Sequence, residues 1–142
     1  MILFCDTSAL VKLYLSEAGS DDMLAEARKA YAIAVCRIAW VEAMAAMARR
    51  GREIPEDADV LDLARARLRD HWQSFIVVEV SQPVVEQAGE FADTFALRAY
   101  DAVQLAAAQT LSAMGDDGVR FACFDARLVK AARVLGMEPV AA

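Results

Sequence analysis

Four lone carboxylates interrupt apolar sequence in this chain. Asp6 follows the apolar run Ile2-Leu3-Phe4-Cys5, and Asp125 follows Phe121-Ala122-Cys123-Phe124. Glu42 is the only charge between Ile38 and Ala48, and Asp101 the only one between Ala99 and Met114. A carboxylate in apolar surroundings is costly unless something pairs with it. Taken singly, each position also has a structural reading. Asp6 and Asp125 could cap helix N-termini, and Glu42 and Asp101 could face solvent on alanine-rich helices. Gathered in one cleft, four carboxylates repel one another and tend to neutralise by protonation. A divalent cation removes that penalty. Oxygen donors without His or Cys suit Mg²⁺, or Mn²⁺, rather than zinc. Such an ion meets substrate phosphates, and phosphodiester hydrolysis is the chemistry that follows. The other acids, such as those between Glu53 and Asp70, sit among basic residues and read as solvated faces.

Convergence needs elements that bring the four together. Short apolar runs alternate with helical stretches, the pattern of a parallel α/β sheet. Strands are expected at Ile2 to Cys5, Ala32 to Val35, Phe75 to Val80 and Val119 to Phe124. A fifth, near Glu138 to Val140, contains Pro139 and suits only a sheet edge. Helices are expected at Ala9 to Leu15, from Ser20 after the break at Gly19, and at Ile38 to Arg50 with Gly51 ending it. Further helices run from Pro55 to about His71, from Pro83, over Ala99 to Met114, and over Ala126 to Leu135 before Gly136. In an open α/β sheet, ligands bind outside the carboxyl ends of the strands. Asp6 and Asp125 end strands, and Glu42 and Asp101 open helices, so all four are expected at that edge.

The chain has 142 residues, which suits one domain spanning 1–142. No stretch of about 18 residues is free of polar interruption, so no membrane span is expected. Met1 leads into Ile2 without a basic leader, and the expected compartment is the cytoplasm. A net charge of −6 speaks against a protein that coats nucleic acid, though not against one that cuts it. Cys5, Cys36 and Cys123 form no CxxC pair and read as buried structural thiols. A single histidine, His71, makes a histidine-based zinc site or a Ser-His-Asp hydrolase a poor fit.

The four acids and their flanks resemble the PIN-domain nucleases, in particular the VapC-type toxins of bacterial toxin–antitoxin pairs. The matching segments are ILFCDTSALVKLYL, WVEAMAAMARR, LRAYDAVQLAAAQ and FACFDARLVKAARVLGMEPV, in the family's order. The resemblance implies a three-layer α/β/α fold with a parallel sheet of four or five strands. It implies that Asp6, Glu42, Asp101 and Asp125 hold Mg²⁺ or Mn²⁺ and activate a water that cuts RNA. Thr7 and Ser8 match hydroxyls that orient a carboxylate or the water. A homodimer and a cognate antitoxin protein are implied as partners. Cys36 and Cys123 stand where many relatives carry hydroxyl residues, which weakens support around the acids.

An acidic protein that cuts RNA needs a local basic rim. Candidates are Lys12, Arg49, Arg50, Arg52, Arg98, Arg127 and Lys130, with Arg65 and Arg69 sharing a helix face. Single-stranded RNA is the more accessible target. Leu10, Val11, Leu13, Tyr14 and Leu15, and Leu61, Leu63, Leu68 and Trp72, read mainly as core, with some available to line a groove for an antitoxin helix. Two other readings compete. A haloacid-dehalogenase-like phosphatase would use Asp6 as nucleophile, but Ser8 stands where it needs a second Asp. A non-catalytic PIN-like regulatory module would keep the fold without turnover.

Overall fold

A computed structural model describes residues 1–140; the last two residues of the expected domain lie outside it. Five strands form one parallel sheet: β1 (Ile2–Cys5), β2 (Ala32–Cys36), β3 (Ile76–Val78), β4 (Val119–Ala122) and β5 (Glu138–Val140). Their order across the sheet is β3-β2-β1-β4-β5. The all-apolar β1 sits at the centre, where every residue is buried. Proline-containing β5 is at an edge, where a missing N–H is tolerated.

Side chains alternate across the sheet and define two cores. Ile2 and Phe4 face one side, where Phe4 stacks on Phe121 with ring centroids 5.7 Å apart. Packed there are α5 (Gln82–Phe95), α6 (Ala99–Ala113) and α7 (Ala126–Val134). Leu3 and Cys5 face the other side, covered by α1 (Thr7–Lys12), α2 (Ser20–Lys29), α3 (Ala39–Glu53) and α4 (Ala58–Trp72). The result is the expected three-layer α/β/α arrangement, with five strands. Burying a side chain such as Leu3 or Phe4 contributes about 1.5–3 kcal/mol.

Several boundaries differ from the sequence reading, each for a local reason. The helix expected over Ala9 to Leu15 is Thr7–Lys12, because Asp6 caps it directly and starts it two residues earlier. The helix expected to stop at Gly51 runs on to Glu53. Gly51 lies inside it, and a Cβ there would come within 3.3 Å of Leu61 Cδ1, so the glycine admits α4 closely. Termination comes instead at Ile54, which precedes Pro55 and leaves the helical region at φ −131, ψ 81. Pro55 opens a short 3₁₀ turn, Pro55–Asp57, before α4. Strands β3 and β4 are shorter than Phe75 to Val80 and Val119 to Phe124: the Phe75 amide still closes the turn after α4 on Trp72 O at 3.1 Å, and ladder pairing ends at Val78 and Ala122. Gly19 breaks the chain as expected, at φ +93 and with Phe124 within 3.0 Å of where a Cβ would sit.

Candidate active site

Register places the first two acids together. β1 and β4 pair with Cys5 opposite Ala122, and the Asp6 amide donates to Ala122 O at 3.0 Å. The turns leaving these neighbouring strands carry Asp6 and Asp125. β2 pairs on the other flank of β1, and Glu42 stands in the first turn of α3 that follows it. Helix α6 returns across the sheet before β4, with Asp101 in its first turn. All four acids line one cavity of about 180 Å³, with Thr7, Ser8, Arg98, Gln104 and Phe124. It adjoins an open cleft of about 600 Å³ between α1, α3 and α6.

Capping and convergence coexist. Asp6 Oδ1 accepts from the Ala9 amide at 2.9 Å and from Ser8 Oγ at 2.7 Å. Asp125 Oδ1 accepts from the Leu128 amide at 3.0 Å. In both residues the cap engages one oxygen, so the structural role leaves the other for the cavity.

Glu42 is held by a small network. Thr7 Oγ1 donates to Glu42 Oε1 at 2.8 Å, and Gln104 Nε2 donates to the same oxygen at 2.9 Å. The Gln104 amide also reaches Thr7 Oγ1 at 3.2 Å. Gln104 is only 2% exposed, and its Oε1 has no hydrogen-bond partner. Sequence reasoning missed it. The signal was available: Gln104 is a long polar residue inside the apolar run Ala102 to Ala108, one helical turn after Asp101. Support for the acids thus comes from Thr7, Ser8 and Gln104. Cys123 makes only a long contact, Sγ to Asp125 O at 3.9 Å. The three cysteines are buried and unbridged. Burial, then the neighbouring Asp6, pushes the Cys123 thiol up to about 12, so it is poorly suited to nucleophilic chemistry.

The electrostatics are those of a crowded anionic cavity. Asp6 is 5% exposed. Its pKa rises from 3.8 to about 7, mainly through burial, with Asp101 and Glu42 adding repulsion and the Ala9 and Ser8 hydrogen bonds opposing. Asp101 is also raised, by burial first, against the pull of Arg98. Arg98 Nε lies 3.6 Å from Asp101 Oδ2, and its Nη2 lies 3.9 Å from Asp125 Oδ2.

The donor set is all oxygen, as a hard divalent cation requires, and the raised Asp6 pKa marks where positive charge is wanted. Among the described residues, no three His, Cys, Asp or Glu side chains stand close enough together to form a finished coordination shell. Donor chemistry fits an ion. The side chains as placed are occupied by Ser8, Thr7, Gln104 and Arg98.

The basic candidates divide. Arg49 and Arg98 line the cleft, and Arg127 borders an adjoining cavity. Lys12 pairs with Glu17 at 2.8 Å, and Arg50 with Asp57 at 3.1 Å. Arg65 pairs with Asp62 at 3.2 Å within α4, a solvated surface contact.

A parallel five-stranded α/β/α sandwich with acids at its carboxyl edge defines the class. Within that class the chain belongs to the PIN domain family, whose pattern it matches over residues 3–134. It is 35% identical to Ribonuclease VapC49 of Mycobacterium tuberculosis (strain ATCC 25618 / H37Rv), covering 95% of this chain and 92% of that protein. Ribonuclease VapC46 of the same strain is 31% identical over 98% of this chain and 96% of its own length. Among solved structures, a toxin–antitoxin complex from Klebsiella pneumoniae superposes with a TM-score of 0.64 at 19% identity, covering 91% of this chain and 90% of that one. FitAcB from Neisseria gonorrhoeae gives a TM-score of 0.65 at 16% identity, covering 98% and 96%.

Proposed function

We propose that this chain is a divalent-metal-dependent endoribonuclease acting as the toxin of a toxin–antitoxin pair. The observation that carries the reading is the convergence of Asp6, Glu42, Asp101 and Asp125 on one cavity, with Asp6 buried and its pKa raised. The ribonuclease names of relatives aligned over nearly the whole chain support the substrate class.

In this reading the four carboxylates hold Mg²⁺ or Mn²⁺. When bound, the ion neutralises the acids, polarises the scissile phosphate and lowers the pKa of the attacking water. The chain's own groups prepare that site. Ser8 and the Ala9 amide fix one Asp6 oxygen and leave the other to face the cavity. Thr7 and Gln104 each donate to one Glu42 oxygen and so orient the carboxylate. Substrate is RNA entering by the open cleft, where a flexible single strand fits best.

The protein partner is a small antitoxin. Trp40, Val41 and Trp72 line an apolar surface hollow of about 500 Å³ between α3 and α4, which suits the apolar face of a helix. Leu63 and Val60 extend exposed apolar surface along α4, whereas Leu10, Val11, Leu61 and Leu68 are core. A homodimer completes the assembly, and sedimentation equilibrium tests it. No helix among the described residues is long and apolar enough to cross a membrane.

Purified protein is incubated with total cellular RNA in Mg²⁺, in Mn²⁺ and in EDTA, beside the Asp6→Ala variant. Discrete products that need metal and vanish in the variant are expected. Cleavage by Asp6→Ala at the wild-type rate overturns the site.

A further inference from the structure

Arg98 and Tyr100 precede Asp101 at the cleft and lie outside the hydrogen-bond network of Thr7, Gln104 and Glu42. Arg98 is the N-cap residue of α6. Its side chain is 85% exposed yet leans over two acids on different elements. At 3.6 and 3.9 Å both contacts are longer than direct hydrogen bonds, so the guanidinium is held by charge and not locked in place. The backbone beneath it is pinned. Ala96 adopts the left-handed region at φ 54, and Arg127 Nη1 donates to its carbonyl at 2.8 Å. Arg98 is therefore a free head on a fixed base, and it borders the acid cavity, the open cleft and the hollow beside α7.

Tyr100 is the second unexplained group. It lines the cleft beside Asp101 and is 67% exposed. An aromatic ring left in water at the lip of a polar cleft is suited to receive a flat partner. Nucleic-acid bases stack on such rings whatever their sequence.

We propose that Arg98 and Tyr100 form the nucleotide clamp of this cleft. Arg98 holds an RNA phosphate beside the acids, and Tyr100 stacks on the adjacent base. The clamp rests on the ribonuclease reading above. In the free protein Arg98 offsets part of the charge of Asp101 and Asp125. Its exposed head is held there only by long charge contacts and is available to a phosphate entering the cleft.

Binding of a labelled, mixed-sequence single-stranded oligoribonucleotide is followed by anisotropy across a salt series, in Mn²⁺, with the Asp6→Asn protein so that no cleavage intervenes. In that background Arg98→Ala weakens binding roughly tenfold and lowers the slope of log K against log salt by about 0.7, one phosphate contact on a single strand. Tyr100→Ala weakens binding roughly tenfold with the slope unchanged, and Tyr100→Phe restores it. Calorimetry with Mn²⁺ alone gives the opposite sign for Arg98. The single Arg98→Ala variant binds the ion roughly threefold tighter, because a repelling charge has gone. Loss of fold would weaken both ligands together and is checked by thermal melting of each variant. Unchanged RNA affinity in either alanine variant, while the wild type still cuts RNA, overturns the clamp and leaves the ribonuclease standing. If the Asp6→Asn protein binds no RNA and the wild type cuts none, both fall.

Discussion

The corners after β1 and after β4 are built alike and behave differently. Each is a strand, an aspartate and a helix, and each aspartate caps that helix by accepting the amide three residues on. Asp6 sits at the centre of the sheet, nearly sealed, with a pKa of about 7. The Asp125 side chain is 42% exposed and shares Arg98 with Asp101. The local motif is common to both, so the difference comes from what surrounds it. Burial turns a cap into a strained charge, which is the contrast the proposed cation site rests on.

The largest effect expected from this contrast is on catalysis. Asp6→Ala should lower RNA cleavage on the order of a thousandfold, the scale of removing one group that stabilises transition-state charge. Asp125→Asn keeps the cap and should cost about tenfold. Equal losses in single-turnover assays would show that the two corners do not differ in function.

Next comes the support of Glu42. Gln104→Leu keeps the volume and removes both donated hydrogen bonds, and should lower kcat by about 10–100-fold with a smaller change in KM. Gln104→His, which retains a donor, should recover part of the rate. A change confined to KM would assign Gln104 to substrate binding instead.

Stability sharpens the comparison further. The folded Asp6 pKa of about 7 lies above its ordinary 3.8, so between these values the folded protein holds more protons than the unfolded chain. Stability therefore falls as pH rises through that window and stays reduced above it. In EDTA at pH 8, Asp6→Asn should melt a few degrees above wild type and lose this part of the pH slope. Asp125→Asn should show no such gain. Melting curves from pH 4 to pH 8 decide it, and a lower melting temperature for Asp6→Asn at pH 8 would refute the strained-charge account.

The smallest effect belongs to Ser8→Ala. It removes one hydrogen bond from Asp6 Oδ1 while the Ala9 amide remains, for a loss of about 1 kcal/mol measured by denaturant unfolding.

Much of the edge is legible in the sequence. Apolar runs such as Ile2 to Cys5 mark buried parallel strands, and a charge that ends such a run stands at the sheet's carboxyl edge. Gly51 was misread because its role is set by Leu61 across the helix pair, not by its neighbours in sequence. Gln104 was passed over because a neutral amide stands out less than a charge against its apolar flanks, Ala102 to Ala108. Arg98 was one of several basic candidates, and only the placement of α6 shows that it, and not Lys12 or Arg50, overhangs the acids.

By itself the sequence determined the alternation of strands and helices that marks a parallel α/β sheet, and the identity of four isolated carboxylates. These are local properties, written in hydrophobic period, capping residues and the contrast of a charge against its flanks. The tertiary structure alone decided which oxygen of each aspartate is committed to a cap, which hydrogen bonds hold Glu42, and why Asp6 is strained while Asp125 shares an arginine. Those depend on distances between residues as far apart in the chain as Thr7 and Gln104. Desolvation and Coulomb energy follow spatial separation and burial, which packing sets and sequence proximity does not.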